Sequence, residues 1–487
     1  MNGMLINRQN TGKNYCLAVL ACVLIAVVPC VARAQELRFS NHREVSVPEY
    51  AVLRIGPFYS SVTLSQSVGY RYTKGDGSGI DFMFENQRGV FLKDGSDFPM
   101  ITTLDVRNYL LISRTMDLDF SLQASYEHYP LKTQEDEFIL GQQGIVGNLS
   151  TEFSLSPYVK GKAYDDIIYR TDYIDTRGLS DRYGGQIYKY FQNTAGMNLD
   201  WLMAKDQNLG LNLSRADMLP RDDKYMDQQS ISYSEALTYQ QMINPLVMAG
   251  ASATFSQYSY TAATNNRPDT SFQTYSVFST VKLTERTVGS ASIGYSKASL
   301  PSSFNETTNS TIDNGSMVGS LSIETELSRS LKHRLEYSRS MTAGFNSPYM
   351  LSDTVGYHLN WTSDELITAG LFSQYSKVST GDARYGEYTD WNSGVNVALP
   401  VTSIVTLTFD TTYSIRENNN ISDSLMTDVE MRNNYNTWTS RIGTSFAITR
   451  EVVFSTYLQH IERSSDYSQL AYSRDVFVAM FTYTHRF

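Results

Sequence analysis

"MDLDFSLQASY", residues 116–126, places Met116, Leu118, Phe120, Leu122, Ala124 and Tyr126 on one set of alternate positions. Asp117, Asp119, Ser121, Gln123 and Ser125 take the other. Successive side chains of a strand point to opposite faces, so a period of two reads as a β-strand with one apolar and one polar face. The same alternation recurs along the chain. "VTLTFDTTYSIR" sets Val405, Leu407, Phe409, Tyr413 and Ile415 against Thr406, Thr408, Asp410, Thr412, Ser414 and Arg416. "MVGSLSIETEL" sets Met317, Leu321, Ile323 and Leu327 against Ser320, Ser322, Glu324 and Glu326, and "NLGLNLS" (208–214) and "WTSRIGTSFAI" (438–448) repeat the pattern. "VVFSTYLQHIE" (452–462) is ambiguous, with apolar residues on both sets of positions.

The connections alternate as well. Tight turns at "RTMD" (114–117), "AKDQ" (204–207), "NPLV" (244–247), "TERTV" (284–288), "SRSL" (328–331), "TSDE" (362–365), "PVTS" (400–403) and "TREV" (449–452) join one set of strand ends. Long polar stretches, such as 130–146, 216–227, 300–312 and 416–431, join the other set. The chain therefore runs strand, tight turn, strand, long loop, with a hairpin period of roughly 40 residues and no solenoid repeat. A sandwich gives no reason for all short turns to fall at one end. A transmembrane barrel does, with short periplasmic turns, long extracellular loops, an apolar outer band and a polar interior. Closure also satisfies the backbone, because in lipid every N–H and C=O must be paired and no edge can stay open. The expected fold is all-β: a transmembrane antiparallel β-barrel of about 18–20 strands. It is expected over 61–487. The first hundred residues are harder to divide: "SVTLSQSVGYRYT" (61–73) and "GIDFMFENQRGVFL" (79–92) read as two strands or as one strand plus an inward element.

The chain begins as a secretory leader. Arg8 and Lys13 form a basic segment, Tyr15 to Val28 is an apolar run, and Ala32 and Ala34 set a cleavage position after residue 34. A short periplasmic segment, 35–60, then precedes the barrel. All three cysteines (Cys16, Cys22, Cys30) lie in the leader, which leaves no disulfide or thiolate site beyond it. The formal net charge of −10 argues against nucleic acid as a partner. With 34 tyrosines and 22 phenylalanines, the chain has the aromatic load of a barrel girdled at both interfaces.

Catalytic patterns are scarce. His42, His128, His333, His358, His460 and His485 are too far apart in sequence for a local metal site, and there is no H-E-x-x-H, G-x-S-x-G or P-loop. His128 and His460, near loop-side strand ends, are the histidines a barrel hydrolase would use, but the expectation is a non-enzyme without metal or cofactor. "GDGSG" (75–79) reads as a flexible turn, and "EDE" (135–137) and "DD" (222–223) as solvated loop charge. If the Leu and Tyr face meets lipid, the polar face lines the lumen. Its candidates are Asp105, Arg107, Asp117, Asp119, Glu127, Glu324, Glu326, Asp410, Arg416 and Arg441. That is a wet, mixed-charge, acid-leaning wall, suited to cations, neutral sugars or a hydrated polymer. At this width the barrel has room for an aqueous channel.

The chain ends "FVAMFTYTHRF". Ala479, Phe481, Tyr483 and the terminal Phe487 fit the insertion signal of Gram-negative outer-membrane proteins, which this ending resembles; His485 departs from it. The resemblance implies that the barrel-assembly machinery reads these residues, and it places the protein in the outer membrane among lipid and lipopolysaccharide. A TonB-dependent transporter would carry a plug of over a hundred residues before its barrel, and only about 26 residues separate the expected cleavage point from the first strand here. The stretch 89–129, "GVFLKDGSDFPMITTLDVRNYLLISRTMDLDFSLQASYEHY", is similar to the opening hairpins of the beta-barrel porin type 2 group. That group occurs with exopolysaccharide synthesis and export systems, so the resemblance implies a porin for polymer export working with a polysaccharide export lipoprotein. A diffusion porin for small solutes and a non-conducting surface scaffold or adhesin are the alternatives.

Overall fold

The computed structural model describes residues 53–76, 95–130, 137–138, 145–173, 187–221, 229–261, 269–300, 312–344, 349–363, 367–380, 387–419, 434–466 and 471–486. The expected leader with Ala32 and Ala34, the segment "GIDFMFENQRGVFL", most of "GDGSG" and of "EDE", "DD" (222–223) and Phe487 lie outside them.

Twenty strands form the wall. They are β1 (Phe58–Asp76), β2 (Met100–Ser113), β3 (Met116–His128), β4 (Ile145–Ser156), β5 (Val159–Tyr173), β6 (Ile187–Ala204) and β7 (Gln207–Pro220). Next come β8 (Ser230–Asn244), β9 (Val247–Tyr260), β10 (Thr270–Lys282), β11 (Thr287–Leu300), β12 (Ile312–Ser328), β13 (Leu331–Thr342) and β14 (Met350–Ser363). The last six are β15 (Ile367–Thr380), β16 (Glu387–Pro400), β17 (Val405–Asn419), β18 (Tyr435–Ala447), β19 (Val452–Ser465) and β20 (Tyr472–Arg486). Each pairs antiparallel with the next, and β1 pairs with β20 from Thr63↔Arg486 to Asp76↔Ser473, which closes the barrel. "SVTLSQSVGYRYT" is thus one wall strand, and the ambiguous 452–462 is another.

Three short strands extend the edges of this ladder. Leu53–Ile55 pairs with Phe58–Ser60 just below the point where β20 ends; the tight reversal between them puts Gly56 at φ 61°. Gly95–Asp97 pairs with Arg71–Thr73 above the start of β2, and Glu137–Phe138 pairs with Tyr126 and Glu127 above the start of β4. Each covers N–H and C=O groups that a stagger between neighbours would leave open. At the seam Gly69 brings the strands close. A Cβ there would lie 2.7 Å from the Ala479 carbonyl oxygen.

The tight turns share a local chemistry. In four of the two-residue turns, the residue before the turn caps it. Ser113 Oγ accepts from Thr115 N (3.1 Å), Ser156 Oγ from Tyr158 N (3.2 Å), Asn244 Oδ1 from Leu246 N (2.8 Å) and Ser328 Oγ from Ser330 N (3.2 Å). These are side-chain mimics of a backbone turn. The register shifts by one residue beside each of them, a bulge that matches turn geometry to strand twist. Four-residue turns use threonine instead. Thr402 Oγ1 accepts from Val405 N (3.1 Å) and Thr449 Oγ1 from Val452 N (3.0 Å).

The outer face is apolar and uncovered. Tyr275 and Ile442 are each 58 % exposed, Val277 56 % and Phe481 54 %. In water such a continuous apolar belt would be an aggregation surface, while against lipid it is the expected solvent-facing side. Toward the loop end, aromatic residues face one another across strands: Tyr275 beside Tyr295, Tyr375 beside Trp391, Tyr413 beside Trp438. Directly above that row run charges: Arg339 bonded to Asp353 (3.1 Å) with Lys377 opposite, and Arg215 bonded to Asp217 (2.9 Å). Aromatic row and charged row together mark one membrane interface. At the turn end Phe446, Phe454 and Phe481 form a second aromatic run, with centroids 6.1 and 4.4 Å apart. No helix among the described residues is long and apolar enough to cross a membrane, which says nothing of a barrel that crosses with strands.

Candidate functional site

Directly opposed residues of an antiparallel ladder share a face, so the register carries one assignment around the whole barrel. Starting from Leu64 and Val68 on the apolar exterior, it places Asp105, Arg107, Asp117, Asp119, Glu127, Glu324, Glu326, Asp410, Arg416 and Arg441 on the opposite, lumenal face. These ten do not form one centre. They fall into four neighbourhoods.

The first spans β1–β5 near the turns. Asp105 accepts from Arg107 two residues along its own strand (2.9 Å). Asp117 is nearly buried and accepts from the Tyr109 hydroxyl (3.0 Å) and from Glu152 N (3.1 Å). Asp119 lies opposite Tyr109 and Ser150. The second lies near the loop end of β1 and β3, where Glu127 is bridged to Arg71 at 2.6 Å. The third joins β12, β13 and β14 at the turn end. Glu326 meets Lys332 (2.5 Å), Arg334 meets Glu336 (2.7 Å), and His358 Nε2 lies 3.6 Å from the same Glu336. Lys332, Arg334, Glu336 and His358 line a cavity of about 430 Å³ together with Glu324.

The fourth, on β16–β19, is the most organised. Arg416 is buried and forms a two-point bond with Asp390, Nε to Oδ1 at 2.5 Å and Nη2 to Oδ2 at 2.8 Å. A bidentate guanidinium–carboxylate pair fixes geometry as well as charge. Its guanidinium also stands over two rings, 4.7 Å from the Tyr388 centroid and 5.7 Å from Tyr435, while Arg463, on the same lumenal face, stands 3.8 Å from Tyr435. Such contacts orient a cation and stiffen its ring. Lower down, Arg441 lies opposite Asp410 and 3.9 Å over Tyr457. A lumenal cavity of about 640 Å³ opens beside this group, lined by Gln374, Asn392, Ser376, Ser414, Asp390 and Arg416 among others.

Between the third neighbourhood and the first, the wall changes character. The lumenal face of β8–β11 is made largely of serine and threonine, and among the described residues Lys282 is its one charged side chain. Hydroxyls bond across strands: Ser234 to Ser256 (3.1 Å), Ser252 to Ser276 (2.7 Å), Thr274 to Ser296 (2.8 Å) and Thr280 to Ser290 (3.2 Å). Phe278 lies over Gly250 here, and Phe372 over Gly394 on the other side of the barrel; a Cβ on either glycine would fall 2.5–2.6 Å from the ring. In each case the aromatic ring fills the gap that a glycine opens in the sheet.

The lumenal wall carries both signs of charge. Its acids are matched by lumenal bases that sequence reasoning did not pick out: Arg71, Lys162, Lys332, Arg334, Arg463 and Arg474. It also missed Asp390, Asn392 and Gln374. The alternation of "EYTDWNSGVNVALP" (387–400) held the signal for the first two, with Tyr388, Asp390, Asn392 and Asn396 against Trp391, Val395 and Val397.

The terminal residues Ala479, Phe481 and Tyr483 lie on the outer face, opposite Thr456, Phe454 and Val452. His485 shares that face, its Nδ1 3.3 Å from Glu451 Oε1 in the adjoining turn. His460 also points outward, bonded to Asp475 (2.7 Å) and edge-on to Trp438, so it does not face the lumen. Among the described residues no three His, Cys, Asp or Glu side chains gather as a metal-binding group.

No protein-family model matches the sequence, and no curated protein is similar to it. The likeness to the porin type 2 group therefore rests on the residues quoted for it. Solved structures do share the architecture. The FrpB iron transporter from Neisseria meningitidis (F3-3 variant) superposes with a TM-score of 0.50 at 6 % identity, over 87 % of this chain and 81 % of that one. The siderophore receptor PirA from Pseudomonas aeruginosa gives 0.49 at 8 % identity, covering 87 % and 80 %. The ferric-catecholate import receptor Fiu from E. coli K12, open form, gives 0.44 at 10 %, covering 88 % and 81 %. At these identities FrpB carries the fold alone: a closed antiparallel barrel of the outer-membrane type.

Proposed function

We propose that the protein is an outer-membrane channel through which a hydrated polymer, an exopolysaccharide, leaves the cell. The carrying observation is the polar lumenal face, which lines most of the closed barrel and includes an arc four strands wide with almost no charge. A wall of mutually bonded hydroxyls neither traps ions nor repels a neutral chain, and a barrel of this strand number leaves an aqueous lumen. The hairpin resemblance at 89–129 supports polymer export over other solutes. In this reading a polysaccharide export lipoprotein delivers the polymer at the turn end, and lipopolysaccharide surrounds the charged outer row.

Mixed acids and bases on β1–β5 and β12–β14 favour a second reading, a diffusion porin for small solutes. Gene deletion separates the two. The export channel predicts loss of surface polysaccharide with small-sugar uptake unchanged. The diffusion porin predicts normal polysaccharide and slowed uptake.

A further inference from the structure

We propose that the 640 Å³ cavity on β14–β18 is a saccharide-binding subsite in the lumen wall, an inference that rests on the channel reading and names where a neutral sugar is held. The volume lies within the roughly 300–1,000 Å³ of small-molecule sites. Its chemistry selects the ligand class. Asp390 and Arg416 neutralise each other in their two-point bond, so the cavity presents no net charge to attract an ion. Next to that pair the side chains of Gln374 and Asn392, opposed in register, are both exposed to the lumen. An amide offers donors and acceptors together, as a hydroxyl does, so two adjacent amides suit vicinal hydroxyls. Tyr388 and Tyr435, buried on either side of the Arg416 guanidinium, hold the array rigid before any ligand arrives. Ser376 and Ser414 add small hydroxyls at the base and leave room above it.

The test uses the full mature barrel in a detergent without a sugar headgroup. Saturation-transfer NMR is recorded with isomaltotetraose, cellotetraose and tetragalacturonate. The expected result is transfer to at least one neutral tetrasaccharide, weaker transfer to the acidic one, and a loss of at least five-fold in Gln374→Leu/Asn392→Leu. Ser376→Trp, which fills the cavity from its base, gives the same loss, whereas Ser234→Leu on the far wall leaves transfer unchanged. Heat-modifiable migration verifies that each variant is folded. No transfer to either neutral sugar, a preference for tetragalacturonate, or full transfer in both cavity variants overturns the subsite. Bilayer conductance of the same preparation separates the two claims. A conducting barrel that binds no sugar overturns the subsite and leaves the channel, and a sugar-binding barrel that never conducts does the reverse.

Discussion

Strands β8–β11 and strands β16–β19 show lipid much the same surface and show the lumen very different ones. Outside, both carry aromatic and branched residues: Tyr275, Val277 and Ile293 on the first, Trp391, Phe409 and Ile442 on the second. Inside, the first is a lawn of serine and threonine bonded to one another. The second holds Arg416, Asp390, Arg463, Tyr388 and Tyr435 in one interlocked group. The barrel does not need this difference, since either inner surface closes the ladder equally well. Membrane physics sets the exterior everywhere, and the interior is where function is free to vary.

The contrast can be broken at its stiffest point first. Arg416→Leu leaves the Asp390 carboxylate without its two-point partner. Asp390 stays partly wetted, so the expected loss is about 2–3 kcal/mol, below the ~3–5 kcal/mol of a fully buried pair. Urea unfolding in lipid vesicles reads this, and the Arg416→Leu/Asp390→Leu double variant recovers most of it.

A device common to both arcs sharpens the comparison from the other side. Gly250→Val and Gly394→Val each drive a Cβ into an overlying phenylalanine and a neighbouring carbonyl. Each is expected to cost about 1–3 kcal/mol, with little difference between them, because overpacking depends on local geometry and not on the arc's polarity. A large asymmetry would show that the two walls differ in rigidity as well as in chemistry.

The hydroxyl arc yields the smallest effect. Ser252→Ala removes one partner of a cross-strand bond at a wetted wall, and the expected cost is about 0.5–1 kcal/mol. Ser252→Ala/Ser276→Ala is expected near zero, since neither partner is then left unmatched. Losses of several kcal/mol in either variant would mean that the hydroxyl ladder is structural and not merely a wet lining.

The fold was readable wherever lipid dictates one face and water the other. In "MDLDFSLQASY" the two demands alternate cleanly, so strand, face and neighbouring turn all follow. The tight turns were legible as short breaks between alternating stretches, while the capping bonds of Ser113, Asn244 and Ser328 emerge only in the structure. β19 was ambiguous for a physical reason. Its lumenal residues Val453, Tyr457 and Ile461 are themselves apolar, and Tyr457 packs against the buried Val476 and Val478 of β20. With both faces apolar, the period of two disappears. The candidate lumen residues came from the cleanly alternating strands, which is why Arg463 and Arg474 were missed. Partnership is a separate matter. That Arg416 meets Asp390, twenty-six residues away, depends on register and not on either strand's own pattern.

The central claim is that the polar lumen is a water-filled path through the outer membrane. Single-channel recording of the purified barrel in a planar bilayer tests it most directly, run beside Ser276→Arg on the hydroxyl arc. The account predicts discrete, ohmic steps in both proteins, with Ser276→Arg shifting the reversal potential in a KCl gradient toward chloride. A folded barrel that carries no current in either form would contradict it.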